Sequence, residues 1–479
     1  MINVIKKIVN NEKLQDIFEI IAKLSFLLYT MLGFNSVAYG HKIVSVVMWP
    51  SFLLCAAVIG WRVLRFRQYY KMPGLIAMLL FLVSHGISML LNHQYDLKGN
   101  IILMIYLVIF FLLFYVYPLK KEPEKARLEL EIIAVFFIVY ALIGSIASIY
   151  MLATGYSSVI QVGFDNYKVI SGFRGGRLWG VFLEPSRASL MMMIAVSFLI
   201  YFISRTKKLW LKILCAVAVV PMFIYVVFSD SRTTVVSIFF AALAGTVAFV
   251  ITGNTKKVVK TVCKLAVCLI ISVAVAASPV VAKDAYNAIA ESVIEEQEEN
   301  KDGKEDPSDE STVKIPEIKR NYDLSGDISN RRFDIWKSGF EMFIEHPVFG
   351  YSYNGIRPYA MEKMPDTYII SNGSELFSNF HNEVINIITA QGIVGFLIFA
   401  ALVIIIVLIL FKNYQKIEDT DRKAFAVMMS VIFGLSSGAM FGSLMLYAST
   451  AASPMFWLCL GYMIYLLKRP EKNTPVLES

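Results

Sequence analysis

The chain has 479 residues, of which 57% are hydrophobic and only 17% are charged, and its mean hydropathy is +0.61. This composition excludes an ordinary soluble domain. The net charge of +8 is carried mainly by loops between apolar segments, so it does not indicate a nucleic-acid partner. We therefore predict an all-α polytopic membrane protein with the lipid bilayer as its surroundings.

Apolar segments of about 20 residues, the length that crosses a bilayer, recur along the chain. In chain order, the predicted spans are 17–36, 43–61, 73–91, 99–118, 130–152, 178–203, 209–228, 233–252, 258–281, 392–411, 424–446 and 450–467. No small-residue cleavage site accompanies the first span, which we predict to be a retained anchor. The pattern thus favours about twelve transmembrane helices.

Basic residues are concentrated in every second loop. The basic segments are 6–13, 62–71, 120–127, 205–212, 256–264, 412–423 and 468–472. By the positive-inside rule, these loops and both termini lie in the cytoplasm. Residues 283–382 then form one large extracytoplasmic loop.

The predicted spans and the extent of the motifs given below divide the chain into three parts. Residues 1–169 carry the first five predicted spans, residues 170–411 form a core that includes the loop 283–382, and residues 412–479 carry the last spans and a cytoplasmic tail. Within the loop, the stretch from Glu291 to Glu310 is strongly acidic. The Asp/Asn spacing of a calcium loop is absent from it, so we predict a solvated, flexible insertion and no metal site.

The end of the loop has helical periodicity. Phe333, Trp336, Phe340 and Phe343 recur at steps of three and four residues, and Pro347 closes the segment. This spacing predicts an amphipathic helix over 330–345 that lies on the membrane surface with its apolar face toward lipid. A second such helix is predicted over 383–391, leading into the span at 392.

Several motifs occur in an informative order. They are Gly176–Ser186, Ser229–Arg232, Arg332 with Trp336, His346–Gly350 with Asn354, and His381-Asn382 followed by Gly392–Gly395. In order, spacing and membrane layout, residues 170–410 resemble the bacterial O-antigen ligase and O-antigen polymerase superfamily. Two features depart from the common pattern: Ser186 stands where the family usually has Asn, and the acidic insertion is additional.

The resemblance implies a fold and a chemistry. Such proteins are polytopic glycosyltransferases that take a glycan from an undecaprenyl-diphosphate carrier and pass it to a saccharide acceptor outside the cytoplasm. The implied reaction inverts the anomeric centre and needs neither a metal ion nor another cofactor. Arg232 and Arg332 match the positions that the family uses to neutralise the diphosphate, and His381 matches its essential histidine. We predict these three residues to be catalytic.

Further polar residues on the same side are predicted to bind substrate. They are Arg174, Arg177, Glu184, Arg187, Arg331 and Asn382. For Arg187, which falls inside a predicted span, a structural pair with Glu184 three residues earlier is an equal alternative. The arginines at span ends could instead be interfacial anchors. Among the other histidines, His85 is predicted to make a hydrogen bond between helices, and His346 to pack at a helix end.

The resemblance implies a glycosyltransferase of cell-surface polysaccharide synthesis. Base rate alone favours a polymerase of undecaprenyl-diphosphate-linked repeat units for capsule, exopolysaccharide or O-antigen, since many cells that make such polymers lack a lipid A core to ligate onto. A chain-length regulator and a flippase of the same pathway are possible partners. The first alternative is a ligase that transfers the glycan to another acceptor. A second alternative is a polysaccharide flippase or a twelve-span carrier. Such carriers tend to have two similar halves and a central cytoplasmic connection, whereas the long loop 283–382 is predicted to be external and to lie between the ninth and tenth spans. A third is a scaffold, which would not require Arg232, Arg332 and His381.

Overall fold

The computed structural model describes residues 11–65, 69, 71–162, 167–253, 258–301, 316–318, 331–372, 377–448 and 450–470. The first eight helices are α1 (Glu12–Gly33), α2 (Lys42–Leu64), α3 (Leu75–Leu91), α4 (Leu97–Ile109, extended by a π-helix over Phe110–Tyr115), α5 (Pro123–Ala153), α6 (Pro185–Arg205), α7 (Leu209–Ser229) and α8 (Arg232–Ile251). The others are α9 (Val258–Lys301), α10 (Arg332–Glu345), α11 (Ile356–Lys363), α12 (Tyr368–Ser371), α13 (Glu383–Asn413), α14 (Arg422–Ala439) and α15 (Ala452–Lys468).

The long apolar helices identify a membrane protein. Within the described ranges, eight helices have the length and composition needed to cross a bilayer, and α3 and α15 are shorter apolar helices. Each of the twelve predicted spans overlaps one of the helices. The helical membrane architecture is therefore confirmed, while the count of twelve spans and their orientation stay predictions.

One predicted span begins too early. The segment 178–203 was expected to be a single helix, but α6 starts only at Pro185. Before it lies an antiparallel sheet of three strands, β1 (Ser157–Val162), β2 (Tyr167–Arg174) and β3 (Arg177–Gly180). Apolar residues of β3 extend the hydrophobic run, yet their backbone groups pair with β2. Hydropathy alone could not distinguish the buried strand from a helix start.

The acidic stretch is partly helical. Helix α9 continues past the predicted span end at 281 and reaches Lys301, so the first part of the predicted insertion, 291–301, belongs to this helix. The remaining part of that insertion, 302–310, lies outside the described residues.

Helix α10 confirms the helix predicted over 330–345, but it has two apolar faces. Ile335 and Met342 are buried against the protein, whereas Phe333 and Phe340 of the predicted apolar stripe are 68% and 51% exposed. An exposed aromatic face fits contact with lipid. Its position on a membrane surface stays a prediction.

Helix α13 has a sharp break where the sequence predicted a span to begin. Gly392 has φ 62° and ψ −164°, a combination that a side chain would not tolerate. A Cβ there would lie 2.2 Å from the carbonyl oxygen of Val348. Beyond the break, the backbone N–H of Ile393 donates to the carbonyl of Pro347 at 2.8 Å. The part before the break is largely buried, and so does not lie freely on a membrane surface.

A second predicted span ends too late. The segment 424–446 was expected to be helical throughout, but α14 ends at Ala439. Residues 440–448, which we call the 440–448 segment, form no helix, and Ser443, Leu444 and Leu446 in it are almost completely buried. Irregular backbone at membrane depth requires protein partners for its polar groups. The segment obtains several of them from side chains of α13 and α15, as described below.

Buried charges connect the first helices at their predicted cytoplasmic end. Lys23 pairs with Glu129, Arg62 Nε lies 2.9 Å from Glu19 Oε1, and Lys121 Nζ lies 2.6 Å from Glu129 Oε2. Each ion therefore has a counter-ion, which is how charges become tolerable inside a membrane protein. On the opposite, predicted outer half of the helices, His85 Nε2 lies 3.4 Å from the carbonyl oxygen of Asn100, as expected for a bond between α3 and α4.

Candidate active site

His381 stands immediately before the N-cap of α13. Its backbone is in the left-handed region, with φ 49°, which is uncommon outside glycine. Its N–H donates to Asn379 Oδ1 at 2.9 Å, and its half-buried ring meets the ring of Phe377 edge-on, with centroids 5.7 Å apart. These contacts fix the position of the imidazole beside the start of a helix.

The surroundings of His381 keep its ring neutral. Burial lowers the pKa of His381 to about 4, Glu184 opposes this shift, and the charges of Arg187 and Arg332 reinforce it. A neutral imidazole at physiological pH can accept a proton. The same interactions show that these three charged residues lie within electrostatic reach of His381. The structure thus brings together four of the predicted site residues.

Arg332, the first residue of α10, is held by two neighbouring elements. Its Nη2 lies 3.2 Å from Thr233 Oγ1 of α8 and 3.5 Å from the carbonyl oxygen of Phe441. The guanidinium carbon is also 5.1 Å from the centroid of the Phe441 ring, close enough for a cation–π contact. The guanidinium is therefore oriented by α8 and by the 440–448 segment.

Arg232 is the first residue of α8 and is exposed, next to the Thr233 that Arg332 contacts. The N-cap of α8 is Ser231, whose Oγ accepts the backbone N–H of Thr234 at 3.2 Å. Thr234 Oγ1 in turn lies 3.4 Å from the carbonyl oxygen of Ser186 in the first turn of α6. Helices α6, α8 and α10 therefore begin close together, and helix N-termini favour anions.

The predicted pair between Glu184 and Arg187 is present. Arg187 Nε lies 3.0 Å from Glu184 Oε2, and both side chains keep part of their surface exposed. The pair alone does not exclude a substrate role, because Arg187 also influences His381 electrostatically.

Tyr353, which the sequence analysis did not single out, packs on the 440–448 segment within electrostatic reach of Arg187. Its hydroxyl lies 3.4 Å from Ser443 Oγ, and its ring stacks on Tyr447 with centroids 4.5 Å apart. Burial raises the pKa of Tyr353 to about 12, and nearby Arg187 partly offsets the shift. The phenol therefore stays protonated and can donate a hydrogen bond. It follows the predicted motif that ends at Gly350, but nothing in its sequence position separates it from its neighbour Tyr351.

Arg177 serves a structural purpose in addition to any contact with substrate. Its Nε donates to the carbonyl of Ser229 at 2.8 Å, and its Nη2 lies 3.2 Å from Ser186 Oγ. These bonds join β3 to the end of α7 and the start of α6. Ser186 is the position at which the resembling family usually has Asn, and here its hydroxyl accepts from Arg177.

Asn382 caps α13. Its Oδ1 accepts the backbone N–H groups of Val384 and Ile385 at 2.9 and 3.2 Å, and its Nδ2 donates to the carbonyl of Met440 at 3.2 Å. This residue therefore fixes the start of α13 next to His381, and its contact with substrate stays a prediction.

The two other predicted substrate-binding arginines are exposed. Arg174 lies at the turn between β2 and β3, opposite Arg177 in the ladder. Arg331 precedes α10 with φ 62°. The substrate roles of both arginines stay predictions.

Two cavities lie away from this cluster. Their volumes are about 240 and 690 Å³, and both are lined by Gly40 and His41 at the connection between α1 and α2. Neither lining contains a predicted site residue. The candidate active site is therefore defined by its charged side chains and helix N-termini, and not by cavity size.

The fold and the site together define a helical membrane protein with a neutral histidine among arginines where several helices begin. Residues 217–400 match the model of the family described as O-antigen ligase, which confirms the predicted resemblance. The matched segment contains Arg232, Arg332 and His381, whereas Glu184 and Arg187 precede it. The match indicates a membrane protein that processes glycans. A search of curated proteins finds no match for the chain.

Proposed function

We propose that this protein is a membrane glycosyltransferase that polymerises undecaprenyl-diphosphate-linked repeat units into a cell-surface polysaccharide, such as capsule, exopolysaccharide or O-antigen. The main support is geometric: the contact between Arg332 and Thr233 brings the starts of α10 and α8 together, and Arg332 acts electrostatically on His381. This arrangement combines a proton acceptor with cations suited to an anionic leaving group. The family match over 217–400 supports the same class of reaction.

In the proposed reaction, the acceptor hydroxyl oxygen attacks the anomeric carbon of the donor sugar from the face opposite the diphosphate. The bond between that carbon and the diphosphate oxygen breaks, and its electron pair leaves with the diphosphate. The hydroxyl proton passes to the free imidazole nitrogen lone pair of His381. A single displacement of this kind inverts the anomeric configuration, and the products are the extended glycan and undecaprenyl diphosphate.

The negative charge that develops on the leaving diphosphate is stabilised by Arg232 and Arg332. A guanidinium makes paired, charge-assisted hydrogen bonds to phosphate oxygens, and Arg332 is already oriented by Thr233 and Phe441. The N-termini of α8 and α10, where the two arginines lie, add partial positive charge. We propose that these groups act without a metal ion or other cofactor, so EDTA should not reduce the rate.

Removal of His381 tests the proposed base. Purified protein is supplied with a synthetic undecaprenyl-diphosphate repeat unit, and both undecaprenyl diphosphate release and chain length are measured. His381→Ala should slow transfer by roughly 10²–10⁴-fold while donor binding persists. His381→Gln should be similarly slow, because glutamine can hydrogen-bond a hydroxyl but cannot accept its proton. Normal chain growth by the Gln variant would show that His381 only positions the acceptor.

The same assay separates polymerase from ligase. With the repeat-unit donor as the only glycan, a polymerase yields a ladder of longer lipid-linked chains. A ligase yields product only after a different acceptor is added, and a flippase releases no undecaprenyl diphosphate at all. In the cell, we propose that a flippase of the same pathway supplies the donor and that a chain-length regulator sets the product size.

The proposed orientation places the site outside the cytoplasm of a bacterial plasma membrane, with both termini inside. Lys337 on α10 and Asp419 between α13 and α14 have side chains that are 76% and 86% exposed. In a variant without native cysteines, Lys337→Cys should react with an impermeant maleimide on intact spheroplasts, and Asp419→Cys should react only after lysis. The opposite pattern would invert the topology and refute an extracytoplasmic site.

A further inference from the structure

Glu383 is a buried carboxyl group that the proposed reaction does not use. It is only 1% exposed and is the first residue of α13, two positions after His381. Its Oε2 accepts the backbone N–H of Leu444 at 2.8 Å, and its Oε1 accepts those of Leu446 and Tyr447 at 2.8 and 3.3 Å. One carboxyl group therefore satisfies three backbone donors of the 440–448 segment.

Other side chains hold the segment at several points. Asn386 Nδ2 donates to Ser443 Oγ at 2.7 Å, and Gln391 Nε2 lies 2.9 Å from the Tyr447 hydroxyl. From α15, Trp457 Nε1 donates to the carbonyl of Met445 at 2.8 Å. Because the segment has no helix of its own, its conformation depends on such partners.

The 440–448 segment connects Glu383 with the charged site. The carbonyl and ring of Phe441 contact the guanidinium of Arg332, and Ser443 Oγ lies 3.4 Å from the Tyr353 hydroxyl. A displacement of this segment would therefore move Phe441 away from the guanidinium of Arg332. His381 and Glu383, which holds this segment in place, are therefore only two residues apart in the chain.

We propose that Glu383 is a positioning residue for the transfer reaction. By holding the backbone of the 440–448 segment, it keeps Phe441 against Arg332 and so orients the guanidinium toward the leaving diphosphate beside His381. The inference rests on the proposed function. A glutamine would fit poorly, because its NH₂ group would replace one acceptor oxygen and face a backbone N–H.

A double-mutant cycle distinguishes positioning from general stabilisation. If Glu383 acts through Arg332, Glu383→Gln should lower kcat for donor turnover about 10- to 100-fold, the effect of a lost charged contact. In an Arg332→Ala background the same change should lower kcat less than about threefold, since coupled residues are not additive. Equal factors in both backgrounds would overturn the proposal.

Two further variants guard against a trivial loss of folding. Phe441→Leu leaves the carboxyl and its bonds in place but removes the ring under Arg332, and it should also lower kcat only when Arg332 is present. Glu19→Gln alters a different buried carboxyl, which pairs with Arg62; it should lower the melting temperature but leave kcat of the folded protein unchanged. A kcat loss in Glu19→Gln that matches Glu383→Gln would assign both effects to stability.

A readout without turnover separates this inference from the proposed function. Modification of Arg332 by phenylglyoxal, quantified by peptide mass spectrometry, should be faster in Glu383→Gln than in the wild type, because the Phe441 contact is loosened. If the wild-type protein releases no undecaprenyl diphosphate, the proposed function fails while this contact can still be tested. An unchanged modification rate in Glu383→Gln would refute the positioning role even in an active enzyme.

Discussion

Replacement of Arg332 tests the diphosphate clamp, and its neighbour Arg331 provides the matched control. Both residues are arginines at the start of α10. Arg331 is the N-cap of the helix, and Arg332 contacts Thr233 and Phe441. Arg331 is exposed, with a positive φ of 62°. Arg332→Ala removes the charge and its contacts, whereas Arg331→Ala removes an equal charge one position away. The comparison therefore controls for the overall electrostatic potential.

The size of the effect follows from the contacts that are lost. A hydrogen bond to a charged group is worth about 1.5–3 kcal/mol, which corresponds to roughly 10- to 100-fold in rate. The cation–π contact with Phe441 adds about 0.5–1 kcal/mol of orienting energy at a partly exposed site. Arg332→Lys should recover little activity, because an ammonium cannot reproduce a two-pronged contact with phosphate.

The assay is the initial rate of undecaprenyl diphosphate release over a range of donor concentrations. Arg332→Ala should mainly lower kcat, as expected when an interaction is strongest in the transition state. Arg331→Ala should lower the rate less than Arg332→Ala does, because Arg331 is exposed at the start of α10 and is predicted only to bind substrate. A fully active Arg332→Ala variant, or a larger loss in Arg331→Ala, would refute the assignment of the clamp.

Two other predictions concern charge and backbone. Activity should fall as the pH drops through about 4, because His381 becomes protonated there. Because Arg187 lowers the pKa of His381 and Glu184 raises it, Arg187→Gln should raise the pKa seen in the acid limb of kcat/KM, and Glu184→Gln should lower it. Shifts in the same direction would contradict this electrostatic account. Gly392→Ala should destabilise the protein by about 1–3 kcal/mol, seen as a lower melting temperature. Gly60→Ala, whose added Cβ meets no atom within 4 Å, should not.

Features that depend on local periodicity could be predicted from the sequence. Apolar length located the helices of the membrane region, and three- and four-residue spacing located α10. The pair of Glu184 and Arg187 was predicted from helical spacing, but Glu184 has an extended backbone as the N-cap of α6, so the pair joins the cap to the first turn. The ordered motifs indicated the family that the segment 217–400 matches.

Local pattern failed where an apolar run changes its backbone structure. Strand β3 and the start of α6 form one hydrophobic stretch in the sequence, and so do the end of α14 and the 440–448 segment. Hydropathy reports burial, and a strand or an irregular segment can be as buried as a helix. What distinguishes them is the source of their backbone hydrogen bonds.

The assembly of the site depends on contacts between distant parts of the chain. The carboxyl group of Glu383 bonds to backbone groups more than 60 residues away in the chain, and Arg332 rests on Thr233 and Phe441, which lie about 100 residues before and after it. The neutrality of His381 likewise comes from its burial. Such contacts have no periodicity to detect, because they arise when separate helices pack their ends together.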